Sequence, residues 1–119
     1  MYNYADLDPE EIEYVDIGQV DEIQNGERLF VEIGDFQIVI FNIAEQFFAI
    51  GDVCSHDGGP LGDGELEDQQ IICPRHGARF DVRTGTVLTL PAFEDIPAYP
   101  VMVENGRIKV GVPLDESLE

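Results

Sequence analysis

Polar and apolar positions alternate from Arg28 to Ile33, which places Leu29, Val31 and Ile33 on one face of an extended segment. Gly34-Asp35 follows and suits a two-residue hairpin turn. Phe36 to Ile43 is rich in β-branched and aromatic residues and predicts a strand buried on both faces. Ala44-Glu45-Gln46 turns the chain into a further apolar segment, Phe47 to Ile50. Towards the other end, Val101–Glu104 and Arg107–Val112 flank Asn105-Gly106. That dipeptide predicts a hairpin, because a type I′ turn needs positive φ at both central residues. Asp8-Pro9-Glu10-Glu11 suits one helical turn, with Asp8 as its cap and Pro9 in its first position. The pattern therefore predicts an all-β fold, with Phe30, Phe36, Phe47 and Phe48 in the core.

Length and charge narrow the picture. With 119 residues and no repeat or low-complexity linker, one domain is expected over 1–119. Its parts are an acidic arm (1–11), a folded body (12–113) and an acidic tail (114–119). The chain is 44% apolar, enough for a small core, and small cores gain from a metal staple. It carries 25 Asp and Glu against 6 Lys and Arg, a formal net charge of −19. Nucleic acid and anionic membrane surfaces would repel such a protein. The apolar run Ile38–Phe41 is far too short to span a bilayer. Met1–Glu11 has no apolar signal-peptide core, so a soluble, cytoplasmic protein is expected. Nothing demands more than a monomer.

The stretch 51–91 is dense in Gly and Pro and reads as a loop-built insertion on the β framework. It holds every Cys and His of the chain, in two pairs: Cys54 with His56, and Cys73 with His76. Four such donors on two loops can surround one metal site. A disulfide is the plainer reading of two cysteines, but a reducing compartment disfavours it. The donor set suits structural zinc and also a mixed-ligand iron–sulfur cluster. Gly58-Gly59-Pro60, Pro74 and Gly77 favour the cluster, because glycine lets backbone N–H groups approach bridging sulfides. The Cys-His…Cys-His order speaks against a zinc finger, yet a zinc-stapled binding module stays open. Asp63 to Asp68 is expected at the solvated tip of a hairpin. Arg75, Arg79 and Arg83 either pair with Asp57, Asp63, Asp81 or nearby Glu, or form a basic docking island.

Cys54-Ser55-His56-Asp57-Gly58-Gly59-Pro60-Leu61 and Cys73-Pro74-Arg75-His76-Gly77-Ala78-Arg79-Phe80-Asp81 resemble the two boxes of Rieske [2Fe–2S] proteins. The likeness is to the small soluble ferredoxins of bacterial ring-hydroxylating dioxygenases, of the biphenyl dioxygenase type. It continues through Thr84-Gly85, Leu90-Pro91-Ala92, Tyr99-Pro100-Val101, Glu104-Asn105-Gly106 and Ile108-Lys109-Val110. The resemblance implies stacked antiparallel sheets with a loop-built [2Fe–2S] subdomain, covered by a third loop at Leu90-Pro91-Ala92. It implies that Cys54 and Cys73 bind the inner iron, and His56 and His76 the outer iron near solvent. It further implies a one-electron carrier rather than an enzyme. Such a carrier takes electrons from a flavin-containing ferredoxin reductase and passes them to a terminal non-haem iron oxygenase. Service to nitrite reduction or iron–sulfur biogenesis is the alternative.

Departures from the high-potential members of that family bear on the redox potential. Where those carry a disulfide across the boxes, this chain has Gly59 and Arg75. Where they place a Ser and a Tyr whose hydroxyls bond to sulfur, it has Ala78 and Phe80. Fewer donors and a strongly acidic chain both disfavour the reduced state, so a potential near the low end of the Rieske range, about −150 mV, is expected.

Overall fold

The computed structural model describes Tyr4 and residues 8–113. The expected acidic tail (114–119) and most of the expected arm (1–11) lie outside the described residues. One 3-10 turn covers Pro9–Glu11, closed by the Glu11 N–H donating to the Asp8 carbonyl at 2.8 Å, and another covers Val20–Glu22. Ten strands follow: β1 (Ile12–Gln19), β2 (Arg28–Ile33), β3 (Phe36–Ile43), β4 (Gln46–Gly51), β5 (Leu66–Glu67), β6 (Gln70–Ile72), β7 (Arg79–Asp81), β8 (Ala98–Tyr99), β9 (Val101–Glu104) and β10 (Arg107–Pro113). They form three antiparallel sheets, ordered β1-β10-β9, β2-β3-β4-β8 and β5-β6-β7. The fold is all-β, as the hydrophobic pattern indicates.

The four-stranded sheet is the middle layer, and β3 is its centre. Successive side chains of a strand point to opposite faces. Ile38 and Ile40 accordingly enter one core, with Ile108, Val110 and Val112 of β10. Val39 and Phe41 enter a second core, with Cys54, Cys73, Ala78 and Phe80. The strand is thus buried on both faces, as its composition implies. β2 lies at the sheet's edge, and only one of its faces packs on a core. Leu29, Val31 and Ile33 pack inward, while Phe30 is 46% exposed and not a core residue. Its ring rests beside Gly62, where an added Cβ would come within 2.7 Å of it. Phe36 and Phe47 pack partly buried against the first core, and Phe48 against the second.

Turns carry the chemistry their residues suggest. Asn105 and Gly106 have φ of 54° and 77°, as a type I′ hairpin requires. Ala44 and Glu45 adopt φ of 55° and 68° without glycine, an uncommon conformation for such side chains. Two amides hold it: Asn25 Oδ1 accepts the Ala44 N–H and Asn42 Oδ1 accepts the Glu45 N–H, each at 2.8 Å. Asn42 is fully satisfied in its buried position, since its amide also donates to the Ile23 carbonyl at 2.7 Å. β1 has no clean alternation in sequence because a register shift between Asp16 and Gly18 interrupts its pairing with β10.

Replacing Asn42 with Ala strands the Ile23 carbonyl and releases the turn at Glu45. It is expected to cost about 1–3 kcal/mol of stability, read as a lower denaturation midpoint. An unchanged midpoint would show that the amide is dispensable.

Candidate metal centre

Two loops grow from the end of this framework, one after β4 and one after β6. They repeat the same hydrogen-bond pattern. Cys54 N–H donates to the Gly59 carbonyl at 2.8 Å, and Gly58 N–H returns to the Cys54 carbonyl at 2.7 Å. Cys73 N–H donates to the Ala78 carbonyl at 2.8 Å, and Gly77 N–H returns to the Cys73 carbonyl at 3.0 Å. Gly58 and Gly77 hold φ of 76° and 79°, so each loop needs glycine at the same step. Tight turns of this kind point the N–H groups of the residues after each cysteine back at its sulfur.

The loops sort their donors by depth. Cys54 and Cys73 are buried free thiols in one core cluster with Leu61, Ala78 and Phe80, so the disulfide reading does not hold. His56 and His76 are exposed, with ring centroids 4.7 Å apart and planes at 87°. All four candidate donors therefore meet at one end of the molecule, thiols inward and imidazoles outward. Burial pushes the Cys54 thiol up, against the pull of the His56 and Asp57 N–H groups. Burial also opposes ionisation of Cys73. There the N–H groups of Arg75 and His76, the Cys54 thiol and the Arg75 charge prevail and hold it below the ordinary thiol value. A thiol held below its ordinary value beside a second thiol is a suitable start for binding a soft metal centre.

The surroundings are fixed by residues the sequence pattern did not single out. Asp52 Oδ1 accepts the N–H groups of Leu61 at 2.9 Å and Gly62 at 2.6 Å, closing the first loop onto the end of β4. Arg28 donates to the carbonyls of Gly62 and Gly64 and lies over the Phe41 ring, 5.1 Å from its centroid. A third segment crosses between the loops. Leu88 N–H donates to the Arg79 carbonyl at 2.8 Å, and Ser55 Oγ donates to the Glu94 carbonyl at 2.5 Å. This places Leu90-Pro91-Ala92 beside the centre, with Ala92 buried in its core and Leu90 and Phe93 exposed at 68% and 79%.

Asp63 to Asp68 is not a hairpin tip. It contains β5, and the turn falls at Asp68-Gln69. Its acidic side chains are nevertheless exposed, alternating with buried Gly64 and half-buried Leu66. The three arginines each find a carboxylate: Arg75 with Asp57 at 2.6 Å, Arg79 with Glu67 at 2.6 Å and Arg83 with Asp81 at 2.8 Å. They are ion-paired and do not form a free basic island. The Arg75 guanidinium, aided by the Gly59 N–H, holds the Asp57 carboxyl well below the usual carboxylate range.

A tetrahedral ion needs its ligands to converge on one point. Among the described residues, no three His, Cys, Asp or Glu side chains do so. Two buried thiols behind two exposed imidazoles suit a two-iron cluster better, since each iron then takes only two protein ligands. A family model for the Rieske [2Fe-2S] domain matches residues 13–100. The chain belongs to this family, and membership carries with it a Rieske [2Fe–2S] cluster.

Its relatives are ferredoxins. It is 35% identical over 95 residues to the ferredoxin component of the naphthalene 1,2-dioxygenase/salicylate 5-hydroxylase systems of a Ralstonia species, covering 80% of this chain and 91% of that one. It is 39% identical over 95 residues to the 3-phenylpropionate/cinnamic acid dioxygenase ferredoxin subunit of Escherichia coli K12, covering 79% and 89%. Among solved structures it resembles the ferredoxin of carbazole 1,9a-dioxygenase from Nocardioides aromaticivorans, with a TM-score of 0.79, 29% identity and coverage of 85% and 98%. A complex of reduced oxygenase and oxidised ferredoxin in carbazole 1,9a-dioxygenase also matches, with a TM-score of 0.77, 28% identity and coverage of 82% and 91%.

Two glycine substitutions should separate conformational from steric demands at the site. A Cβ at Gly58 meets nothing within 4 Å. Gly58→Ala thus carries only the left-handed backbone cost of about 1–2 kcal/mol. A Cβ at Gly64 would fall 1.8 Å from the Ile72 carbonyl oxygen. Gly64→Ala is expected to be the more damaging in chemical denaturation, and the reverse order would contradict the packing described.

Proposed function

We propose that this chain is a soluble, low-potential Rieske-type ferredoxin, a one-electron carrier between a flavin-containing reductase and a terminal ring-hydroxylating oxygenase. The observation that carries this reading is the sorting of the four donors, with both thiols buried and both imidazoles at the surface. Cys54 and Cys73 are the ligands of the inner iron, and His56 and His76 those of the outer iron. When bound, the cluster supplies reversible storage of one electron. The chain keeps water from the sulfurs with Leu61, Ala78, Phe80 and Ala92. It leaves the imidazole edges open, which gives a docked partner a short path to the centre.

The dioxygenase names of the relatives support an oxygenase as electron acceptor, and the carbazole complex supports direct contact between such partners. The protein is a carrier and not itself an enzyme. It works as a monomer in the cytoplasm, as one domain in which residues 51–91 form the cluster-binding part. Among the described residues no helix is long and apolar enough to cross a membrane.

A low potential follows from what surrounds the sulfurs. Ala78 and Phe80 are buried beside both cysteines and offer no hydroxyl. The Ser55 hydroxyl donates to the Glu94 carbonyl and is not free for sulfur. With no hydroxyl of Ala78 or Phe80 to add to the backbone N–H groups, less offsets the added electron and the reduced state is disfavoured.

Low-temperature EPR of anaerobically purified protein tests the assignment. Dithionite should produce a rhombic [2Fe–2S] signal of low average g, and Cys54→Ser, Cys73→Ser, His56→Ala or His76→Ala should each abolish or alter it. Colourless protein holding one zinc would overturn it. A redox titration should place the midpoint near the low end of the Rieske range, about −150 mV. Phe80→Tyr, which restores one hydroxyl, should move it upward. A clearly positive value for the unmodified protein would refute the low-potential reading.

A further inference from the structure

The two loops are joined at their mouth by one ion pair. Asp57 follows His56 on the first loop, and Arg75 precedes His76 on the second. Arg75 Nε donates to Asp57 Oδ2 at 2.6 Å and Nη2 to Oδ1 at 2.9 Å, while Nη1 donates to the Pro60 carbonyl at 2.7 Å. A fork bound to a carboxylate at two points fixes orientation as well as distance. Gly59 makes the contact possible, since a Cβ there would lie 2.8 Å from the guanidinium carbon. Its N–H also donates to Asp57 Oδ1 at 2.9 Å and aims the carboxylate.

The same carboxylate reaches a candidate ligand. Asp57 Oδ2 lies 3.4 Å from His76 Nε2. Among the described residues His56 has no such ion-pair partner and meets the His76 ring instead. A carboxylate near one ring nitrogen orients the imidazole and favours metal binding through the other nitrogen. The two imidazoles are therefore unlike.

We infer that Asp57 is a positioning residue for His76, held in place by Arg75, and that the pair is an ionic clamp which keeps the two loops in register. The inference rests on the assignment of His76 as a ligand. Both partners are partly exposed, with side-chain exposures of 26% and 33%, and such pairs contribute little to global stability. Their effect belongs to the centre and not to the fold.

The test uses the holoprotein and four variants: Asp57→Asn, Arg75→Gln, Arg75→Lys and the charge-reversed double Asp57→Arg/Arg75→Asp. The readouts are midpoint potential, EPR g values and the rate of iron loss to a chelator. Asp57→Asn removes a negative charge beside His76 and should raise the potential. Arg75→Gln removes a positive charge and should lower it. Both should speed iron loss several-fold with little change in the unfolding midpoint. Arg75→Lys keeps the charge but loses the fork, so it should stay near the parent potential while still losing iron faster. The double reversal should recover the slow iron loss but not the parent g values.

Potentials that move in the same direction for Asp57→Asn and Arg75→Gln would overturn the positioning role, because loosened loops alone would do that. Parent-like potentials, g values and iron loss in all four variants would overturn the clamp. A parent protein without any cluster signal would instead defeat the ligand assignment, and the inference with it.

Discussion

A strand buried on both faces governs this molecule. β3 sends Ile38 and Ile40 one way and Val39 and Phe41 the other, so the sheet built on it separates two cores. One core is ordinary packing between the middle sheet and the β1-β10-β9 sheet. The other is shared with the centre, because Cys54 and Cys73 are part of it. A strand with no solvent face cannot slip by one residue without exchanging the contents of both cores. Its register with β4 therefore fixes where β4 ends, at Gly51, three residues before Cys54. The position of the first cysteine is in this sense a product of the core.

The second loop reaches the same place by different means. It hangs from β6 in a sheet of two- and three-residue strands, too short to be stable alone. What holds it is shared burial, with Ile71, Phe80 and Val82 in the core that also takes Phe41 and Ile50. Matching turns then give matching chemistry. Each cysteine carbonyl accepts the N–H of a left-handed glycine four residues on, and each sulfur faces backbone N–H groups. Burial and N–H donors pull in opposite directions at these thiols, and the balance falls differently for the two. At Cys73 the N–H groups of Arg75 and His76 and the Cys54 thiol outweigh burial, with the Arg75 charge a smaller aid.

Much of this was legible in the sequence, for reasons that can be named. β2 and β3 have the bounds their patterns indicate, since alternation at an edge and β-branched density at a centre are local signals. Asn105-Gly106 forms its turn because the preference is intrinsic to the dipeptide. The four candidate donors meet at one end, as two Cys-His pairs on two loops suggest. The failures were non-local. Phe30 is core-like by type, but lies on the open face of its strand, which only the packing of the layers reveals. β1 is obscured by its bulge, and β5 by its length. The roles of Asp52 and Arg28 depend on which backbone amides and carbonyls come near them in space, and an acidic chain offers too many candidate carboxylates to single out Asp57.

The charge of the chain bears on its dealings with partners. Of its few basic residues, Arg75, Arg79, Arg83, Arg107 and Lys109 are each paired with a carboxylate, and Arg28 is turned to backbone carbonyls. Little positive charge is left free to attract anything. At a distance, a partner meets a negative field, which favours cationic surfaces and raises encounter rates at low salt. At contact the situation differs. The segment bridging the two loops exposes Leu90 and Phe93, the most exposed large apolar side chains among the described residues. Apolar contacts of this kind are insensitive to salt and reward fit over charge. A carrier that must bind, deliver one electron and leave is served by a long-range field, because such a field hastens arrival without fixing the strength of the final contact.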